Sequence, residues 1–222
     1  MEILNSTGNN VYLTGEIVSP LVRSENIAYE DCFDTILKVN RLSGVCDNIP
    51  ITISDEIIKN NGLHVGSFIA IYGEFRSYNK IINERSKLML SVFVKELTEP
   101  NEDNPNAIEL TGYLCKAPIY RTTPFNREIA DLLIAVNRAP QTSDYIPCIA
   151  WGRNARMAKS MFIGDRIFIG GRIQSREYQK RFEDGSIETR VAFEVSINQL
   201  FREEENPESM EQALSLNSMS SY

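Results

Sequence analysis

Asp144-Tyr-Ile-Pro-Cys-Ile-Ala-Trp-Gly152 and Gly164-Asp-Arg-Ile-Phe-Ile-Gly-Gly-Arg-Ile-Gln-Ser-Arg-Glu-Tyr178 are the two stretches on which the fold turns. Each alternates with period two, the pattern of a strand with one face in a core and the other outside. In the second stretch Ile167, Ile169 and Ile173 share one face, and Arg166, Phe168, Arg172, Arg176 and Tyr178 share the other. In the first, Ile146, Cys148 and Ala150 oppose Tyr145 and Trp151. A sheet face that interleaves aromatic rings with arginines suits stacked bases and phosphates. An ordinary strand pair with a solvated outer face shows the same alternation.

Upstream, the same text appears once already. Leu13-Thr14-Gly15 returns as Leu110-Thr111-Gly112. Asp34-x-x-Leu37-x-Val39-Asn40-Arg41 returns as Asp131-x-x-Ile134-x-Val136-Asn137-Arg138, and Ile49-Pro50 as Ile146-Pro147, all at an offset of 97. Gly66 and Gly73 return as Gly164 and Gly171 at 98, and Val92, Val94 and Leu97 as Val195, Ile197 and Leu200 at 103. A near-constant offset across several strands marks a duplication, and its period is too long for a solenoid. The late jump places an insertion around Phe182-Glu-Asp-Gly-Ser186, where Asp184-Gly185 is a hairpin-turn signal.

Each copy reads as three strands, a short helix and two further strands. In the first copy the strands start near Val11, Cys32, Ile49, Gly66 and Lys87, and Ser54 is placed to cap a helix opening at Asp55. In the second copy the helix is expected over Arg153–Phe162, with Ala155, Ala158, Met161 and Phe162 as its apolar contacts. Five strands with a helix between the third and fourth is the order of the OB-fold, a small closed Greek-key barrel. The expected class is therefore all-β with one short helix per repeat, as two tandem five-stranded OB-fold barrels. Residues 1–97 form the first domain, 98–107 a linker rich in Pro, Asn and acids, 108–202 the second domain, and 203–222 a disordered acidic tail.

Composition is that of a globular chain, with 42% apolar and 24% charged residues, and no apolar run is long enough to span a membrane. The start lacks the layout of a signal peptide, and Cys32, Cys46, Cys115 and Cys148 show no C-x-x-C spacing. These features point to free thiols in a reducing, cytoplasmic setting. The net charge of −7 is unevenly spread. Residues 1–104 carry 9 Lys and Arg against 15 Asp and Glu, residues 105–202 carry 14 against 10, and residues 203–222 carry 0 against 5. A basic module thus lies between an acidic module and an acidic tail, and local sign matters more for binding than the total.

The second copy resembles bacterial single-stranded DNA-binding proteins over Ile108 to Phe201. The likeness is carried by Ile108-Glu-Leu-Thr-Gly112, Arg121-Thr-Thr-Pro124, Ala130-Asp-Leu-Leu-Ile-Ala-Val-Asn-Arg138, Tyr145-Ile-Pro-Cys-Ile-Ala-Trp-Gly152 and Gly164 to Tyr178. The resemblance implies base-stacking aromatics at Tyr145, Trp151 and Tyr178, and strand cations at Arg172 and Arg176. A further stacking position of the family falls near Arg138 and Ala139, where no aromatic stands. With Phe168 from the strand face, Arg121, Arg138, Arg153, and Lys180 and Arg181 near the hairpin tip, these residues make up the expected DNA-binding set. In the first copy Asn48 stands where Tyr145 would be, Ile53 or Ser54 where Trp151 would be, and Glu74 where Arg172 would be. That copy is read as structural or dimerising, with Tyr72, Arg76 and Tyr78 as a weaker face.

The function so implied is non-sequence-specific coating of exposed single strands in replication, recombination or repair, in a cytoplasmic, nucleoid-associated setting. RNA is an alternative strand, because stacking does not read the sugar. Four barrels assemble in the family, so two chains would pair as a homodimer through OB-fold packing. The family's acidic ending that recruits replication or repair proteins is not matched by the tail. The rival reading is an OB-fold protein-interaction module, favoured by the acidic first copy. An enzyme is disfavoured: the only histidine is His64, and no P-loop, dinucleotide glycine pattern or metal-ligand cluster stands in the sequence. No cofactor or metal is expected.

Overall fold

The structure, a computed structural model, describes residues 8–25, 31–41, 43–82, 85–101, 103–138, 142–181 and 185–203. The first copy contains β1 (Asn9–Ile17), β2 (Val22–Arg23), β3 (Cys32–Asn40), β4 (Cys46–Ser54), α1 (Asp55–Asn61), β5 (Phe68–Ile82) and β6 (Arg85–Leu97). The second contains β7 (Asn106–Leu114), β8 (Ile119–Thr122), β9 (Glu128–Arg138), β10 (Thr142–Trp151), α2 (Gly152–Ala158), β11 (Arg166–Arg181) and β12 (Ile187–Arg202). The short strands β2 and β8, each paired only to the next strand, are additions that the sequence pattern did not announce.

In the first copy β1 pairs with both β5 and β3, β3 with β4, and β5 with β6, all antiparallel, while β4 and β6 close the ring in parallel. The second copy repeats every one of these pairings with β7, β9, β10, β11 and β12. This is the closed five-stranded Greek-key barrel of the OB-fold, formed twice. Alternation explains it: Ile49, Ile51 and Ile53, like Ile146, Cys148 and Ala150, point inward and are buried, as are Ile167, Ile169 and Ile173. Barrel closure also explains the repeated Leu-Thr-Gly. A Cβ on Gly15 would lie 2.4 Å from the Lys38 carbonyl oxygen, and one on Gly112 2.4 Å from that of Ala135. Only glycine lets the first strand of each copy bend across its neighbour there.

Ser54 caps α1, its hydroxyl accepting from the Ile57 amide at 3.3 Å. The second helix is shorter than expected and stops at Ala158. The Asp165 carboxylate takes the Phe162 amide at 2.9 Å, drawing the chain into a turn. Met161 is buried as expected, but Phe162 is exposed. The tip residues 182–184, Ala139 and the tail from residue 204 onward lie outside the described residues.

The two barrels join through β1 and β7, which pair antiparallel with Asn9 opposite Leu110, Val11 opposite Ile108 and Leu13 opposite Asn106. Because Asn9, Val11 and Leu13 correspond to Asn106, Ile108 and Leu110, the register is reciprocal. It is the self-complementary contact of a two-fold pair, made between two copies in one chain.

Candidate nucleic-acid interface

The outer face of the second barrel is set by cross-strand register. Residues directly opposite in a ladder share a face. Arg121 stands opposite Ile129, and Ile129 opposite Trp151, so these three form one row across β8, β9 and β10. Ile149 pairs with Ser196, and Ser196 with Arg172, which continues the same face onto β12 and β11. Further along β11 the outward residues are Gln174, Arg176 and Tyr178, with Tyr178 opposite Arg190. Trp151 is 39% exposed, Tyr145 46% and Tyr178 37%. Rings of this size half-open to water have a free face to offer.

Local structure aims each group. Gly152 has φ of +50°, so the chain turns sharply after Trp151 and enters α2. Tyr145 is held from the other barrel: its amide donates to the Ser77 hydroxyl at 2.8 Å. Arg127, which sequence reasoning missed, leaves a tight turn. There Asn126 has φ of +57° and the Thr123 hydroxyl accepts the Arg127 amide at 3.1 Å. This turn directs Arg127 into a recess of about 720 Å3 that Trp151 and Arg172 also line. Arg41, from the first barrel, lines it too. The signal for Arg127 was its place in the Thr-Thr-Pro-Phe-Asn-Arg turn; Arg41 was visible only as the repeat counterpart of Arg138.

The expected set is therefore divided in space. Trp151 and Arg172 share the recess, and among the described residues no carboxylate pairs with Arg172. Tyr178 lines a different recess of about 650 Å3, between the barrels, with Pro147, Pro50 and Tyr78. Arg176 lies near Tyr178, its guanidinium 5.9 Å from the ring centre, and pairs with the buried Glu194 at 3.3 Å. Phe168 is on the outer side of β11 but packs on Phe201, with ring centres 6.1 Å apart, and lines neither recess. Arg121 pairs with Asp131, Arg153 is exposed at the start of α2, and Lys180 and Arg181 are exposed on the β11–β12 arm. Arg138 lies 3.6 Å from Asp144 rather than in the Trp151 recess. Burial pushes the Asp144 carboxyl above its ordinary value, against the Ser77 amide and Arg138, and Glu74 of the first copy adds to the rise.

The first barrel uses the same face differently. Glu74, 4% exposed, pairs with Lys95 and with Arg76, the latter at 2.8 Å, and the Arg76 guanidinium lies 3.8 Å from the Phe93 ring centre. Burial opposes the Glu74 charge, yet the Lys95 and Arg76 contacts outweigh it and hold its pKa below the ordinary 4.5. This face neutralises its own cations. Tyr72 instead packs on Tyr12 at 5.0 Å.

Among the described residues no cluster of His, Cys, Asp or Glu could hold a metal, and no helix is long and apolar enough to cross a membrane. The four cysteines are free thiols, and burial pushes that of Cys148 up. His64 is exposed, with Nδ1 2.9 Å from the Gly62 carbonyl.

Comparison with known proteins bears on the second barrel. The model of the single-strand binding protein family matches residues 105–202. Single-stranded DNA-binding protein 1 of Staphylococcus aureus is 34% identical over 83 residues, covering 34% of this chain and 50% of that protein. Single-stranded DNA-binding protein 1 of Lactococcus lactis is 35% identical over 83 residues, covering 34% of this chain and 55% of that protein. The chain spans about half the length of these curated relatives. The wild-type single-stranded DNA binding protein from Thermus aquaticus superposes with a TM-score of 0.67 at 19% identity, over 90% of this chain and 94% of that one. The likeness thus covers both barrels, and at that identity it speaks for the fold alone. Over residues 105–202 the chain is similar to the single-strand binding protein family.

Proposed function

We propose that the chain binds single-stranded DNA without reading its sequence and coats exposed strands during replication, recombination or repair. The observation that carries this reading is the recess where Trp151 meets Arg127 and Arg172. Every base has a π face, so a ring such as Trp151 takes any base, at about 1–3 kcal/mol per stack. Guanidinium groups beside it bind phosphate and release counterions, which makes affinity fall with salt. Tyr145, Tyr178 and Arg176 extend the face along the strand. The step requires binding alone, with no bond made or broken. The names of the relatives point to the same ligand.

The test is a titration of a thymidine oligonucleotide at low and high salt, followed by tryptophan fluorescence. Trp151 is the chain's only tryptophan, so the signal has one source. Quenching that weakens with salt is the expected result. The absence of both quenching and a gel shift would overturn the reading. RNA is tested by competition with a uridine oligonucleotide, and pairing of two chains by the solution mass.

A second reading, protein interaction, is favoured by one observation: the first barrel's face is neutralised around Glu74. On that reading the first copy serves as scaffold or docking module while the second binds the strand.

A further inference from the structure

The Trp151 recess is built by both copies, although every candidate for it came from the second. Arg41 and Ser43, at the β3–β4 turn of the first barrel, line it together with Trp151, Arg172 and Arg127 of the second. Its lining holds three arginines and no carboxylate, in a chain of net charge −7. Its volume of about 720 Å3 is that of a small-ligand pocket.

Arg41 is held in place from behind. Its Nε and Nη2 both donate to the Asp47 carboxylate at 2.6 Å, in a bidentate fork. Asp47 is fully buried and also accepts the Ser175 amide of the second barrel at 3.0 Å. A guanidinium has five N–H donors, so the fork leaves three for another anion. The Arg41 side chain is 22% exposed, and its open part faces the recess.

The pseudo-two-fold relation supplies an internal control. The counterparts of Arg41, Trp151 and Arg172 are Arg138, Ser54 and Glu74. Arg138 flanks Asp144, and the Asp144 carboxyl feels both Glu74 and Arg76. One side of the seam therefore joins a cation to an aromatic ring and a second cation. On the other side Glu74 stands in place of the second cation, and Ser54 in place of the ring.

We propose that the recess seats one nucleotide unit of a bound strand across the two copies, with the base on Trp151 and the phosphate between Arg172 and Arg41. This rests on the single-strand reading above. The first copy then contributes to binding directly, by lending a phosphate ligand to its neighbour. The strand crosses the seam on this side only.

The test uses the full chain and a thymidine oligonucleotide at several salt concentrations. Arg41→Gln is expected to lower the slope of log affinity against log salt by about one while the Trp151 quench persists, and Arg41→Lys to restore the slope. Ser43→Glu, at an exposed turn position, adds a carboxylate to the lining and leaves Arg41 and Asp47 in place. It is expected to weaken binding roughly threefold or more, which keeps the test open if Arg41→Gln fails to fold. If Ser43→Glu and a folded Arg41→Gln bind like the parent while Arg172→Gln binds weakly, the shared recess is overturned and strand binding stands. If the parent chain neither quenches nor shifts, strand binding itself fails, and the shared recess with it.

Discussion

The Asp47 carboxylate accepts a hydrogen bond from the Ser175 amide at 3.0 Å, across 128 residues of chain. Its twin is Asp144, which accepts the Ser77 amide at 2.7 Å. Each aspartate follows an arginine by six residues, and each serine lies on the hairpin arm of the opposite barrel. The two bonds are the same contact made twice, once in each direction. With the reciprocal β1–β7 ladder they turn the pair of barrels into one pseudo-symmetric body.

Asp47→Ala is expected to cost about 3 kcal/mol of stability, because it leaves Arg41 without its partner and the Ser175 amide without its acceptor. Urea unfolding measures it. A loss below about 0.5 kcal/mol, the range of an ordinary surface substitution, would mean that the seam does not depend on this carboxylate.

Glu74 makes stability depend on acid. Its folded pKa lies below the ordinary 4.5, so its contribution is complete above that value and is lost as pH falls through the folded one. The stability gap between the parent and Glu74→Gln is therefore widest near neutral pH and closes in acid. Asp144 has the opposite sign: burial raises its pKa, so its share of stability declines as pH climbs from 3.8 toward the folded value. Unfolding curves across this range check both. A gap that does not change with pH would remove charge as its source.

Gly112→Ala puts a methyl group 2.4 Å from the Ala135 carbonyl oxygen, where backbone must move to admit it. The expected loss is about 1–3 kcal/mol, with a matching loss for Gly15→Ala against Lys38. Alanine at Gly44, which has open space around it but φ of +82°, tests strain without a clash. Thermal melts of the three variants separate the two effects.

Trp151→Ala is expected to lose about 1–3 kcal/mol of strand affinity with the salt slope unchanged, since a ring binds bases and not phosphates. Arg172→Ala should lower the slope by about one, and Arg76→Ala, whose cation is shared with Glu74 and Phe93, should leave it alone. Fluorescence anisotropy of a labelled oligonucleotide reads all three. Equal slopes for the parent and Arg172→Ala would take Arg172 out of the phosphate path.

Much of this molecule was legible in the chain itself. Period-two alternation sorted Ile167, Ile169 and Ile173 from Arg172, Arg176 and Tyr178 because a strand's side-chain directions are set locally by its pleat. The offset of 97 revealed two copies, and strand count with helix position pointed to the barrel. The exchange of Arg172 for Glu74 was also visible, and with it the difference between the two faces. What stayed hidden depends on how distant segments meet. No local rule places Ser175 on Asp47, brings Arg41 into the recess that Trp151 lines, or sets Tyr178 in a separate recess beside Pro50. Alternation tells which way a side chain leaves its own strand. Which other chain segment it then faces was decided only when β1 and β7 paired in reciprocal register and brought one barrel's turns over the other's open face.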